Sequence, residues 1–372
     1  MQASAYRKVV VKVGSNVIAG QDGLPDVAVM GRLVEQIAAA KKRGIDVVLV
    51  SSGAVASGRS LVPVSDKADP IARRQLLAAI GQVKLINTYT GLLQPHGLLC
   101  AQILVTKEDF RDRMHYLNMK RCMGTLLQNS IIPIINENDV VSVTELMFTD
   151  NDELAGLIAS MLGADALLIL TNVDGIYDRP PREPGAAVIP VIDSVRTDFS
   201  SFISAEKSNF GRGGMITKCS IAQKLALVGI KVHIANGKTP GILTSILTGQ
   251  PVGTVFVPQA NQSKLKRWVA NSESYAKGYV YINAGARDRL LHTRKAISLL
   301  PVGITRLEGN FQKGDIIKIA AEDGEVIGLG MAQYSAALAQ AYAGEKNKKP
   351  LIHYDYLFLF DTADTTEGNY KF

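Results

Sequence analysis

Lys12 stands inside an otherwise apolar run, "VVVKVG", where an ammonium group is costly unless a partner meets it. Lys218 closes the glycine-rich stretch "GRGGMITK". Between them lies "INENDVVSVTELMFTDNDELAG". It gathers Glu137, Asp139, Glu145, Asp150, Asp152 and Glu153, with Asn136, Asn138 and Asn151 interleaved. Two lysines converging on a transferring phosphoryl group would stabilise its transition state with fixed positive charge. Carboxylates directly after a buried strand suit cations: the lysines, Mg²⁺ carried by a nucleotide, or a substrate ammonium. Asparagines beside them bind polar groups of an amino acid without adding charge. Plainer readings exist for some of these residues. A strand-end lysine can snorkel to water, and acids at a helix start are stabilising by themselves. The second reading covers Glu145 and Glu153. It leaves "NEND" unexplained.

Two more segments favour anions. "SSGAVASG" (51–58) and "GRGGMITK" (211–218) are small and glycine-rich, so backbone N–H groups and a helix start can approach a phosphate. Neither fits the P-loop spacing, and no GxGxxG opens the first helix. Each alone also reads as a tight turn. Thr171, Asn172 and Asp174 follow another apolar run. The histidines His96, His115, His233, His292 and His353 supply no general base at a strand end, and His233 reads as core. A hydroxyl acceptor benefits from a base, whereas a carboxylate is already ionised at neutral pH. The chemistry therefore tilts toward phosphorylation of a carboxylate.

These groups need a frame. Continuous β-branched runs ("KVVVKVG", "IDVVLVSSG", "LLCAQILVT", "IIPIIN", "DALLILTNVDG", "IKVHIANG") alternate with helical stretches. Strands without polar alternation are covered on both faces, which predicts an αβα sandwich around a mainly parallel sheet. Ligands then collect beyond the carboxyl ends of the strands, and every segment above falls there. The pattern changes near "NSESYAKG" (271–278). Short strands with Gly, Asp and Asn turns follow, after a helix predicted over "GARDRLLHTRKAISLL", as in a small mainly-β module. The expected division is 1–260 catalytic, 261–278 linker, 279–360 β module and 361–372 tail.

With 372 residues, 47% hydrophobic and 20% charged, the chain has the make-up of a soluble two-domain protein. No apolar run is long enough for a membrane span, and "MQASAYRKVVVKVGSN" has no apolar leader core. The cysteines Cys100, Cys122 and Cys219 are odd in number and scattered. A disulfide framework or zinc site is not expected, each cysteine reads as a small buried hydrophobe, and a reducing cytoplasm fits. The net charge of +7 suits anionic ligands, nucleotides or RNA. "KKR" (41–43), "KLKR" (264–267) and "KNKK" (346–349) are short enough to be solvated faces.

"VVVKVGSN", "VVLVSSGAVASG", "RQLLAAIGQ", "IIPIINENDVV", "FTDNDELAGLIA", "LLILTNVDGIY" and "GRGGMITK" occur in the order seen in the amino acid kinase family, and more narrowly in its glutamate 5-kinase branch. "LLPVGITRLEGNFQKGDIIKI" and "HYDYL" resemble the PUA domain appended to many bacterial members. The likeness runs from about residue 7 to 356. It implies ATP-dependent phosphorylation of the L-glutamate γ-carboxylate, the first step of proline synthesis, with Mg²⁺ arriving on the nucleotide and no separate protein metal site. It implies that Lys12 contacts the transferring phosphate and that Ser52, Asp139 and Asn151 bind glutamate, with Asn136 and Asp150 lining the same pocket. Asp152 would organise Lys12 and Lys218. Thr171 and Asn172 would touch the nucleotide, with Arg212, Gly213, Gly214, Met215, Ile216, Thr217 and Lys218 forming the nucleotide-side loop. Many relatives carry Asp at Asn172 and Thr at Arg212. The resemblance also implies a homo-oligomer, dimer or tetramer, inhibited by proline. One rival reading is an RNA-binding or RNA-modifying protein acting through the PUA-like module; another keeps the fold and changes the acceptor to acetylglutamate, aspartate or a nucleoside monophosphate.

Overall fold

The structure, a computed structural model, describes residues 6–63, 69–142, 148, 150–193, 214–258, 273, 276–292 and 297–360. The chain divides into two compact units, Met1–Asn261 and Gln262–Phe372.

In chain order the first unit contains β1 (Lys8–Val13), α1 (Ser15–Ile18), α2 (Val27–Lys42), β2 (Asp46–Ser51), α3 (Ala54–Arg59) and α4 (Pro70–Leu93). Then come β3 (Cys100–Val105), α5 (Lys107–Arg111), α6 (Arg113–Gln128), β4 (Ile132–Glu137), α7 (Asn151–Leu162) and β5 (Ala166–Thr171). The unit closes with β6 (Val191–Asp193), α8 (Met215–Leu227), β7 (Lys231–Asn236), α9 (Ile242–Leu247) and β8 (Thr254–Val257). These strands form one sheet in the order β3-β4-β2-β1-β5-β7-β8-β6. Pairing is parallel from β3 through β7. β8 runs antiparallel to β7, and β6 is parallel to β8. The mainly parallel sheet is as expected. The reversed edge is not, because strands of three and four residues are too short to show a period.

β1 lies at the centre, with Lys12 opposite Val50 of β2 and Ile169 of β5. Val9, Val10, Val11 and Val13 are buried on both faces, each stabilising by about 1.5–3 kcal/mol relative to exposure. The chain leaves β1 toward β2 and later returns to place β5 on the other side. That reversal makes the carboxyl end of β1 a topological switch point, where a crevice opens.

Glycine does two jobs in "SSGAVASG". Gly53 has φ 110° and caps α3, and a side chain there would press on Ile18. Gly58 faces α4: a Cβ on it would lie 2.1 Å from the Leu77 carbonyl oxygen. Gly81 faces back, with a Cβ position 1.8 Å from the Ala54 carbonyl oxygen. The two helices touch backbone to backbone, so Gly58 belongs to packing rather than to an anion loop. β4 also runs further than the apolar letters indicate. Asn136 and Glu137 still pair with Leu104 and Val105 of β3, and both are buried.

The second unit contains β9 (Gly278–Ile282), α10 (Ala284–His292), β10 (Ile304–Gly309), β11 (Ile316–Ala321), β12 (Val326–Ala332), α11 (Ala336–Tyr342) and β13 (Ile352–Leu359). Its sheet order is β10-β9-β11-β12-β13, over a core of Val280, Ile282, Phe311, Ile317, Ile319, Leu351 and Ile352. The helix predicted over 285–300 is shorter. By Leu299 the chain is extended, and its N–H donates to the Ile352 carbonyl. The expected tail 361–372 and most of the expected linker lie outside the described residues.

All three cysteines are free. Cys219 is buried, with its thiol pushed up to about 12 by burial. Cys122 is exposed on α6, against expectation. Of the basic clusters, Lys348 pairs with Glu345 at 3.0 Å on a solvated face as expected, whereas the Lys41 side chain is largely buried, 3.3 Å from Asp46. "KLKR" lies outside the described residues. Among the described residues no helix is long and apolar enough to cross a membrane.

Candidate active site

Lys12 does not snorkel. Its Nζ lies 2.6 Å from Asp152 Oδ1, and Lys218 Nζ lies 2.9 Å from Oδ2 of the same carboxylate. Asp152 is 0% exposed, and the lysine side chains are 7% and 9% exposed. Burial pushes the Asp152 carboxyl up, but the two ammonium groups outweigh it and hold it below the usual aspartate range. Two cations on one anion leave a net positive charge at the end of β1. Water is largely excluded there, so the charge is weakly screened toward an anion placed beside it.

Helix phase decides which acid of "DNDE" enters the site. Asp150 is the N-cap of α7: its Oδ1 accepts the N–H groups of Asp152, at 2.9 Å, and Glu153, at 3.0 Å. Asp152, in the first turn, meets the lysines. Glu153 faces Lys107 at 3.4 Å. Burial and then the Asp152 charge raise the Asp150 carboxyl.

A run of amides adjoins the triad. Asn151 Nδ2 donates to Ser52 Oγ at 2.9 Å and to Asn136 Oδ1 at 3.0 Å, and Asn136 Nδ2 donates to Gln82 Oε1 at 3.0 Å. Ser52 follows β2, Asn136 lies on β4, Asn151 opens α7 and Gln82 is on α4. Two strand carboxyl ends and two helices thus share one uncharged network, suited to an amino acid's polar atoms.

Beyond it are the acids after β4. Arg74 of α4 donates through Nη2 to Asp139 Oδ1, and its Nε reaches the same oxygen at 3.2 Å. Its Nη2 is 4.0 Å from Glu137 Oε2. Glu137 Oε1 accepts the Phe148 N–H at 2.9 Å. Burial, with help from the Asp139 charge, pushes the Glu137 carboxyl up from 4.5 to about 7, against the Phe148 N–H, Arg74 and Lys107. Between these values the folded chain holds a proton that the unfolded chain has lost, so this group's contribution to stability falls as pH rises from 4.5 to about 7. Glu137→Gln removes the titration. Relative to the parent, the variant is expected to gain thermal stability between pH 5 and pH 8. An unchanged difference in melting temperature at the two pH values would show that Glu137 ionises normally.

The nucleotide side is more open. Thr171 ends β5, its Oγ1 is 3.3 Å from Asn172 Oδ1, and its carbonyl accepts the Gly237 N–H. Asp174 accepts from Asn236 Nδ2 at 2.9 Å. Thr171 and Asn172 line a cleft of ≈ 1810 Å³ with Gly14, Ser15, Asn16, Gly214, Met215, Lys218 and Lys238. The same cleft reaches Ser52, Asn136, Asp139, Asp150, Asn151 and Asp152. That volume exceeds a typical single-ligand pocket and has room for a nucleotide beside an amino acid. Ile216 and Thr217 do not line it. Ile216 is 57% exposed, because α8 turns both away between Met215 and Lys218, which share a face. Arg212 and Gly213 lie outside the described residues. His233 is core, as expected: its Nε2 meets the Tyr6 hydroxyl at 2.8 Å, and burial lowers it to about 4.

A model of the amino acid kinase family matches residues 7–236. The chain belongs to the amino acid kinase family. A PUA domain model matches residues 278–353. Glutamate 5-kinase of Chlorobaculum tepidum is 55% identical over 96% of this chain and 99% of its own length. The protein of that name from Bacteroides thetaiotaomicron is 51% identical over 95% and 99%. That of Trichlorobacter lovleyi is 40% identical over 94% and 93%.

Every described candidate side chain of this amino acid kinase lies within the first match; the PUA match contains none. Sequence reasoning passed over Arg74 and Gln82, although both stand in "RQLLAAIGQ". The signal was available: a glutamine and an arginine sharing a motif with apolar helix letters need partners once that helix is packed. Arg59 and Arg73 line the same cleft.

Proposed function

We propose that this chain transfers the γ-phosphoryl group of ATP to the γ-carboxylate of L-glutamate, giving γ-glutamyl phosphate, the first step of proline synthesis, in the cytoplasm. The observation that carries the reading is the buried Lys12–Asp152–Lys218 triad beside the Ser52–Asn151–Asn136 network. The near-full-length relatives named glutamate 5-kinase support the same acceptor.

In this reading the γ-carboxylate, ionised at neutral pH, attacks in line and needs no base. Lys12 and Lys218 hold the transferring group and neutralise its charge. Asp152 fixes both ammonium positions, so the site does not reorganise as charge moves. Ser52, Asn136 and Asn151 orient glutamate, and Asp139 takes its ammonium. Thr171, Asn172, Gly214 and Met215 contact the nucleotide. Mg²⁺ held by one carboxylate and the phosphates fits Asp150, whose buried Oδ2 has no hydrogen-bond partner among the described residues. The ion would neutralise phosphate charge there.

Proline shares glutamate's zwitterionic head and lacks its γ-carboxylate, so it is proposed to inhibit by competing for the same place. A homo-oligomer is supported by the edge of β3, unpaired among the described residues, where Leu99 is 68% exposed and Leu104 36% exposed. RNA is the alternative ligand, through the PUA domain. Its Tyr279 and Tyr281 rings stack at 6.2 Å, with Arg306 3.8 Å above Tyr281. Glu308 pairs with Arg306, and Glu273 lies 3.4 Å from Lys318, so these cations carry partners of their own. Phosphotransfer is the better-supported reading.

The test is hydroxylamine trapping with ATP, Mg²⁺ and L-glutamate, N-acetylglutamate or L-aspartate. Hydroxamate from L-glutamate alone is expected, with suppression by added proline. No hydroxamate from any acceptor, from folded protein that binds ATP, would overturn the assignment, and retention of tRNA on a filter would then favour RNA.

A further inference from the structure

Among the cations that line the cleft, two groups meet buried acids, at separate places. Lys12 and Lys218 meet on Asp152. Arg74 meets Asp139 and Glu137. A dicarboxylic amino acid also has two anionic ends, and one of them carries the ammonium. Resting on the phosphotransfer reading, in which Asp139 takes the α-ammonium, we infer that Arg74 takes the α-carboxylate and so completes a clamp for the zwitterionic head of the substrate.

The geometry supports this division. The triad is enclosed and suits the end where phosphate arrives. The Arg74 side chain is 31% exposed, lines the cleft and touches the acids through Nε and Nη2. With no substrate bound, guanidinium and carboxylate satisfy one another. An α-amino acid brings the same two charges in the opposite order and can exchange with the pair without leaving either side chain uncompensated. A guanidinium fork matches a carboxylate better than an ammonium does. Glu137 also lines the cleft, but its Oε1 already accepts the Phe148 N–H at 2.9 Å, and its Oε2 lies 4.0 Å from Arg74 Nη2. The clamp makes Arg74 a residue that discriminates acceptors by their α-carboxylate, which the triad cannot do.

The experiment compares L-glutamate with L-isoglutamine, which keeps the γ-carboxylate and ammonium but has an α-carboxamide. Hydroxamate formation is measured for the parent, Arg74→Met and Arg74→Lys. The parent is expected to prefer glutamate by at least about 100-fold in kcat/KM, because a site built around an ion pair rejects the analogue lacking the charge. Arg74→Met is expected to bring that preference to within about tenfold, almost wholly by slowing glutamate. Arg74→Lys is expected to fall between them. Equal slowing of both acceptors by Arg74→Met, in protein that still melts cooperatively, would overturn the clamp and reduce Arg74 to a support for Asp139. Parent enzyme giving no hydroxamate from either acceptor would overturn the phosphotransfer reading instead, and the clamp with it.

Discussion

Replacing Lys218 with alanine is expected to lower kcat by at least about 1000-fold, with the protein still folded. In the proposed mechanism the ammonium it removes is one of two that hold the phosphoryl group, and it lies where water is largely excluded. Lys12 stays 2.6 Å from Asp152 Oδ1 in the parent structure, so the buried carboxylate keeps one partner after the change. That is why the fold survives. Met215, three residues earlier on the same face, keeps the wall of the cleft in place. In the proposed mechanism the binding of glutamate relies on the amide network and on Asp139, whereas Lys218 meets Asp152. The KM for glutamate should therefore move far less than kcat, the signature of an interaction made chiefly in the transition state. Steady-state kinetics with a thermal melt on the same sample decide the point. Turnover within tenfold of the parent, from folded Lys218→Ala, would remove the triad from catalysis.

The contrast between Lys12 and Arg74 shows what sequence can carry. Lys12 is a local anomaly: a charge in an apolar strand demands a partner, and the demand is visible in six letters. Its partner is not. Asp150, Asp152 and Glu153 are equivalent as letters, and only the start of α7 separates a cap, a triad member and a mate for Lys107. Arg74 lies in "PIARRQ", polar and unremarkable until α4 is packed against the loop after β4. The parallel core was legible because each of its strands is a six-residue apolar run or nearly so. β6, β8 and the short α3, α9 and α11 were not, since their positions follow from packing rather than from a repeat. "SSGAVASG" reads from its letters as an anion loop or as a tight turn, and the structure makes Gly53 a turn glycine lining the cleft and Gly58 a packing glycine.

Asp152→Asn tests the triad from the other side. The amide keeps the size of the carboxylate but loses its charge. Its oxygen can accept from one lysine, and its NH₂ must then face the other ammonium. Two buried cations are left with no anion between them, which is expected to destabilise the protein by about 3–5 kcal/mol. The parent carboxylate is held below the usual aspartate range, so its contribution is complete at neutral pH and is lost only as pH falls through that depressed value. The deficit of the variant should therefore be largest at neutral pH and shrink in acid. Phosphate supplies the missing anion. Addition of ATP with Mg²⁺ is expected to raise the melting temperature of Asp152→Asn by more than it raises that of the parent, even though turnover falls by at least about 100-fold. Extra rescue without activity is what a positioning carboxylate predicts: its loss leaves the cations free to bind phosphate but no longer fixed where the reaction needs them. An equal shift in parent and variant would mean that the lysines do not face the nucleotide, and the assignment of the cleft would fail at its centre.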